Sequence, residues 1–149
     1  MNNFGFVIDG IPMGKERPRF ANVNGFTKTY TSAKTKNAEG MIGWVASNAM
    51  KQSENVLITE PLFIFIEFRM PIPKSFSKTK HLSCTTGETV PTVKPDLDNL
   101  AKTILDGMNG IVYKDDSQVV DLFVRKRYAD VPCAIVSIRE FKNQGNYYL

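Results

Sequence analysis

Histidine is almost missing from this chain of 149 residues, which has only His81. A single imidazole removes several chemistries. There is no His–His metal pair and no His–Cys zinc grouping. A Ser-His-Asp triad would have to use His81, which has no motif around it. Cysteine is nearly as scarce: Cys84 and Cys133 lie far apart, form no paired motif and read as free thiols in a reducing compartment. No apolar run approaches the roughly 20 residues of a membrane span. The opening MNNFGFVIDG lacks the basic start and apolar stretch of a signal peptide, so a cytoplasmic protein with no membrane contact is expected. A Gly-rich phosphate turn is absent too. The composition that remains, 42% hydrophobic and 23% charged, is that of a soluble protein with a core, and residues 1–149 read as a single domain.

Charge is unevenly placed. Between Asp96 and Asp121, six aspartates (Asp96, Asp98, Asp106, Asp115, Asp116, Asp121) face only Lys102 and Lys114, a net of −4. The whole chain is +4, so the remainder carries +8. An acidic centre in a basic frame suits a metal site that must meet a polyanion, although uneven charge also serves solubility.

The acidic centre has internal order. In Lys94-Pro95-Asp96-Leu97-Asp98-Asn99-Leu100-Ala101-Lys102, two carboxylates stand one residue apart at the mouth of an apolar helical pattern: Leu97, Leu100, Ala101, Ile104, Leu105 and Met108. Pro95 disfavours helix at Lys94, and Asp96 or Asp98 can cap the first turn. Lys102 falls on the same helix face as Asp98. Asn109-Gly110 stops the helix. The pair Asp115-Asp116 then sits on a turn able to fold back beside Asp96 and Asp98. Carboxylates gathered this way repel one another unless a cation occupies them, and oxygen ligands without His or Cys suit Mg²⁺ or Mn²⁺. Taken separately, the two pairs also fit a helix cap and an acidic turn.

Around this centre the chain reads as strands and helices. Phe4 to Ile11 alternates as a first strand. The following stretch interleaves Lys15, Arg17, Arg19 and Lys28 with Phe20, Phe26 and Tyr30, and Asn24-Gly25 marks a hairpin. This arm fits either phosphate contact with aromatic packing on DNA or an irregular surface hairpin covering the core. Ser32 caps a helix whose stripe (Ala38, Met41, Ile42, Val45, Ala49, Met50) faces the core, fraying near Ser53 to Asn55. Pro61 to Met70 is almost continuously apolar and reads as a central strand, interrupted by Glu67, which is either solvated, paired or near the carboxylates. The connection from Pro71 to Val93 reads as a long polar loop in which Lys74, Lys78 and Lys80 could touch phosphates. Gln118 to Tyr128 is a strand, and Cys133 to Phe141 is expected to return as its antiparallel partner. Residues 142–149 form a polar tail, expected to be loosely held. The sum is an α+β fold: a two-layer domain with a mixed sheet and two main helices packed on it, the apolar strand pairing in parallel with the first strand.

The segment KPDLDNLAKTILDGMNGIVYKDDSQVVDLFVRKRY, Lys94 to Tyr128, resembles the RusA family of Holliday junction resolvases of bacteria, prophages and phages. The likeness extends to MPIPKSFSKTK and the N-terminal strand. It implies a homodimeric, Mg²⁺-dependent endodeoxyribonuclease that resolves four-way DNA junctions by paired nicks in recombination and repair, with Mn²⁺ as a substitute. Carried over by position, Asp96 and Asp98 match the family's Asp-x-Asp, Asp116 its downstream essential aspartate and Lys102 its essential lysine. These four are the expected catalytic residues. Asp96, Asp98 and Asp116 are expected to ligate the ion directly or through water, with Asp115 a weaker ligand. Lys15, Arg17, Arg19, Lys74, Lys78 and Lys80 are the expected DNA contacts. Without the resemblance, Lys102 reads as a helix ion pair with Asp98 or Asp106, and Asp106 as a surface partner. Two other functions compete: a non-catalytic junction-binding protein, and another Asp-based Mg²⁺ phosphotransfer enzyme, which the missing Gly-rich turn counts against.

Overall fold

The structure is a computed structural model that describes residues 3–143. Residues 144–149 of the polar tail lie outside the described residues. Six strands and three helices follow in the order β1 (Phe4–Asp9), β2 (Arg19–Val23), β3 (Phe26–Tyr30), α1 (Ala33–Gln52), β4 (Leu62–Pro71), α2 (Lys78–Thr85), α3 (Leu97–Met108), β5 (Val119–Ala129) and β6 (Cys133–Glu140). The fold is α+β, with a mixed four-stranded sheet of order β1-β6-β4-β5 and a separate two-stranded sheet, β2-β3.

β4 is the strand on which the sheet is built. Leu62, Ile64, Ile66 and Phe68 are at most 1% exposed, and each such burial contributes about 1.5–3 kcal/mol. A strand this apolar needs a neighbour on both edges. β5 lies parallel to it on one side and β6 antiparallel on the other. This corrects two expectations. The first strand does not pair with β4: it pairs antiparallel with β6, which stands between them. β6 is not the hairpin partner of β5 either. The short link from Ala129 to Cys133 crosses the end of β4, where Pro71 pairs with Ala129 and Arg69 with Cys133. Burial explains the order. β6 buries Ala134, Val136 and Ile138, so it belongs inside the sheet. β5 leaves Val120, Leu122 and Phe123 exposed and carries Arg125, Lys126 and Arg127, a charge pattern typical of an edge.

The connection from Pro71 to Val93 is not all loop. Ser77 caps α2, its side chain accepting from the Lys80 N–H, and Cys84 is buried on that helix. One buried residue in eight gives too little apolar periodicity for the helix to stand out from its polar surroundings. Ser32 caps α1 as expected, accepting from the Thr35 N–H. Both cysteines are free and buried. Among the described residues no helix is long and apolar enough to cross a membrane.

The layer above the sheet is made by α1 and α3. Ile42, Ala46 and Met50 of α1 join Leu100, Ile104 and Met108 of α3 and the inner residues of β4 and β6 in one core. The two helices approach closely through glycines. A Cβ on Gly107 would lie 2.7 Å from Ile42 Cβ, and one on Gly43 would lie 2.8 Å from Ile111 Cδ1. Gly107→Ala is therefore expected to lower stability by about 1–3 kcal/mol through overpacking. Gly40→Ala, on the open face of α1 with nothing within 4 Å, should raise it by up to about 1 kcal/mol. Urea unfolding of both variants checks the contrast.

Candidate active site

The apolar face of α3 fixes where its polar residues stand. Asp96 is the N-cap by backbone geometry, yet its side chain makes no cap hydrogen bond, so its carboxylate remains available. Asp98 lies in the first turn, where the positive end of the helix dipole favours an anion. Both residues are exposed. The approach to Asp96 runs through a cis Lys94–Pro95 bond. Lys126 of β5 holds that approach, donating from Nζ to the carbonyls of Val93 at 2.7 Å and Pro95 at 2.9 Å.

Lys102 projects one turn further along. Its Nζ lies 2.9 Å from Asp116 Oδ2 and 3.0 Å from Asp106 Oδ1. Asp116 opens a short 3₁₀ turn, Asp116–Gln118, which returns to α3 at Lys102. The expected fold-back of Asp115-Asp116 into one cluster with Asp96 and Asp98 is not seen, since among the described residues no three carboxylates gather. Asp115 plays a different part. It caps that turn, accepting from Ser117, while the Gln118 side chain accepts from the Asp115 N–H in a capping box. Lys102 does not pair with Asp98.

Asp106 is more than a surface partner. Its side chain is only 14% exposed and it bridges Lys102 and Lys15, and Lys15 also lies 3.3 Å from Glu39 on α1. Burial alone would push the Asp106 carboxyl up; hydrogen bonds from Lys15 and Lys102 outweigh it and hold the group below its ordinary value. The hydrogen bond to Asp106, against some desolvation, raises Lys15. Those to Asp116 and Asp106 raise Lys102. The i,i+4 spacing of Lys102 and Asp106 is visible in the sequence, but nothing there announces Lys15 as a third member.

The segment carrying Lys15 is docked on α3. The Lys15 N–H donates to Asn99 O at 3.3 Å. The Glu16 N–H donates to Thr35 Oγ1 at 3.3 Å. Gly14 passes so close that a Cβ there would sit 2.9 Å from Asn99 Nδ2 and 3.0 Å from Pro95 Cβ. Between this segment and the α3 entrance runs a cleft of about 580 Å³ whose walls include Lys15, Arg17, Lys34, Lys94 and Asp96. The structure thus brings Lys15 and Arg17 to Asp96, and adds Lys34 and Lys94, which sequence reasoning had missed. Arg19 begins β2, outside the cleft lining. Lys74 precedes α2, Lys78 opens it, and Lys80 packs 3.9 Å over the Phe76 ring.

Glu67 is paired, not poised for a cation. It accepts from Arg69 Nε at 2.8 Å and Arg125 Nε at 2.7 Å. Burial pushes its carboxyl up, but the two arginines outweigh this and hold it below its ordinary value. Oxygen donors such as Asp96 and Asp98 suit a hard divalent cation, which commonly takes one or two carboxylates and fills its shell with water and substrate phosphates. Among the described residues, no group of three or more His, Cys, Asp or Glu side chains is gathered to hold a metal by itself. The donor set therefore fits an open site with few protein ligands, not a closed cage.

A family model described as endodeoxyribonuclease RusA matches residues 9–139. The uncharacterized protein YqaN of Bacillus subtilis (strain 168) is 39% identical over 137 residues, which cover 91% of this chain and 94% of that protein.

The Glu67 pairing carries a pH signature. With its folded value below the ordinary 4.5, its contribution is present above about pH 4.5 and is lost as pH falls through the folded value. Glu67→Gln should cost about 1–3 kcal/mol at pH 7, and the gap from wild type should narrow below pH 4.5. Thermal melts from pH 3 to pH 7 measure both.

Proposed function

Because the chain belongs to the RusA endodeoxyribonuclease family, we propose that it resolves four-way DNA junctions by Mg²⁺-dependent paired nicks, acting as a homodimer in recombination and repair. The observation that carries this reading is the placement of Asp96, its carboxylate free of a cap bond, on the wall of a cleft that also holds Lys15, Arg17, Lys34 and Lys94. Such a cleft attracts a phosphate backbone irrespective of sequence. Asp96 and Asp98 would hold the cation, with Asp116, paired to Lys102, reaching it through water and Asp115 outside the direct ligands because it caps the 3₁₀ turn. A bound divalent cation supplies an activated water and stabilises charge on phosphoryl oxygens.

The chain's own residues account for the rest. The basic walls place the scissile phosphate at the α3 entrance. Lys102, a compact cation with three donors, is held by Asp106 and Asp116 further along α3, from where it would steady developing charge on the phosphate. Lys126 keeps the Asp96 segment in place through two backbone carbonyls. A twofold dimer matches the symmetry of a four-way junction, putting one site on each equivalent strand.

Cleavage of a labelled junction and of linear duplex, mapped to the nucleotide with and without Mg²⁺, tests the reading. Binding without nicks in either Mg²⁺ or Mn²⁺ would leave a junction-binding module instead. Asp96→Asn, Asp98→Asn and Asp116→Asn should each abolish nicking while keeping junction affinity. Lys102→Ala should fold normally, bind normally and nick about a hundredfold more slowly or worse in single turnover, the scale of losing one electrostatic donor. Lys102→Arg should recover only part, because guanidinium places its donors differently.

Salt dependence separates the basic groups. Replacing Arg17 or Lys34 with Ala should flatten the slope of log affinity against log salt by about one unit each if they touch phosphates. An unchanged slope after replacing Lys74, Lys78 and Lys80 together would assign those three to the solvated surface.

A further inference from the structure

The β2–β3 hairpin is unlike the rest of the molecule. It joins neither edge of the larger sheet, and apart from Ala21 every residue of its two strands is exposed. Even so, it carries large apolar side chains: Phe26 is 74% exposed, Phe20 71% and Tyr30 46%. A hairpin meant only to be solvated gains nothing from such rings, each of which favours leaving water.

Pairing register sorts them. Arg19 is opposite Tyr30, Ala21 opposite Lys28 and Val23 opposite Phe26, so these six share one face. On that face β3 alternates aromatic and cation (Phe26, Lys28, Tyr30), and β2 adds Arg19 with Ala21 and Val23. The other face has Phe20 among Asn22, Thr27 and Thr29. No acidic residue occurs between Glu16 and Glu39, while Arg17, Arg19, Lys28, Lys34 and Lys36 all fall there. The tip is a tight turn with positive φ at both Asn24 and Gly25, the geometry of a two-residue hairpin loop. The roots are fixed: Arg17 on one side and Lys34 on the other line the cleft beside Asp96. Glu16 and Thr35 hold them together through the Glu16 N–H.

We infer that the β2–β3 hairpin is a stacking arm for unstacked nucleobases, so that Phe26 and Tyr30 engage base faces exposed at a DNA branch point while Arg19 and Lys28 hold the adjoining phosphates. The inference rests on the DNA substrate of the proposed function and deepens it, because the arm discriminates branched from linear DNA. A base in intact duplex has both faces covered by its neighbours. A base at a branch offers a free face, to which aromatic stacking responds irrespective of sequence. Since the arm's roots form the cleft wall, a strand whose phosphate lies at Asp96 continues past the hairpin. Charge favours this occupant over a second copy of the chain, since the core of an obligate protein interface is depleted in charged side chains, and here Arg19 and Lys28 sit among the rings.

The test is equilibrium binding in a chelating buffer of a labelled four-way junction and a linear duplex of the same sequence. The proteins are wild type, the double variant Phe26→Ala with Tyr30→Ala, and Phe26→Trp. Because both rings are exposed, the double variant should melt as wild type does. The expected result is a loss of junction affinity of about tenfold or more, with duplex affinity changed less than about twofold, and retention of both by Phe26→Trp. A 2-aminopurine placed beside the branch should change emission on binding wild type and not the double variant. Equal losses on both DNAs overturn the inference. So does no loss on either, or a wild-type dimer that the double variant splits, which would mean a second copy covers the rings. The two readings fail separately. Selective loss of junction binding in a protein that nicks nothing upholds the arm and removes the nuclease. Nicking by wild type with unaltered binding by the variants does the reverse.

Discussion

Helix α3 is held down by Leu100, Ala101, Ile104 and Met108, none more than 4% exposed, and Asp96, Asp98, Lys102 and Asp106 take their positions from that seat. Burial of such side chains contributes about 1.5–3 kcal/mol for each large one, well above the roughly 0.2–1 kcal/mol of an exposed ion pair. Hydrophobic packing therefore sets the geometry, and the charges adapt to it. The glycines at the α1–α3 crossing let the helix sit deeper than side chains would allow. A helix anchored on one side can present Asp96, Asp98 and Lys102 to solvent without depending on them for stability. The site is in this sense independent of the core that supports it.

Electrostatics supply the second level of order. Asp106 is flanked by Lys15 and Lys102, and Asp116 by Lys102, so two of the aspartates on and after α3 are already compensated by lysines. Asp96 and Asp98 are the ones left open, at the end where the helix dipole favours negative charge. The ion-pair chain also joins four separate stretches: the segment before β2, helix α1 through Glu39, helix α3 and the turn before β5. The cleft wall and the carboxylates it faces are therefore tied to one another, not merely adjacent.

Much of this was legible in the residues. The α3 pattern, the Ser32 cap and the Asn24-Gly25 turn are local signals, each written within a few positions, and the structure places them as expected. The sheet order was not legible. Both β5 and β6 are apolar strands joined by a short turn, and proximity in sequence suggested a hairpin. Only the burial demanded by β4, with apolar residues on both faces, decides that it lies between them. The role of Asp106 was half visible, since its spacing to Lys102 is helical while Lys15 lies 91 positions away. Lys126 was invisible for the same reason, because its partners are backbone carbonyls that no side-chain pattern marks.

The position of β6 has a consequence for how the protein is made. β1 has β6 as its sheet partner, and Asp9 pairs with Cys133, 124 positions later in the chain. During synthesis β1 emerges well before its partner. Phe4, Phe6 and Ile8 must wait, partly uncovered, while the helices and β4 emerge. Pairings so distant in sequence are slow to form and leave apolar edges open in the interval. A growing chain of this design has reason to need chaperone cover, and its yield in a cell should respond to translation rate and growth temperature more than the packing of the finished core suggests.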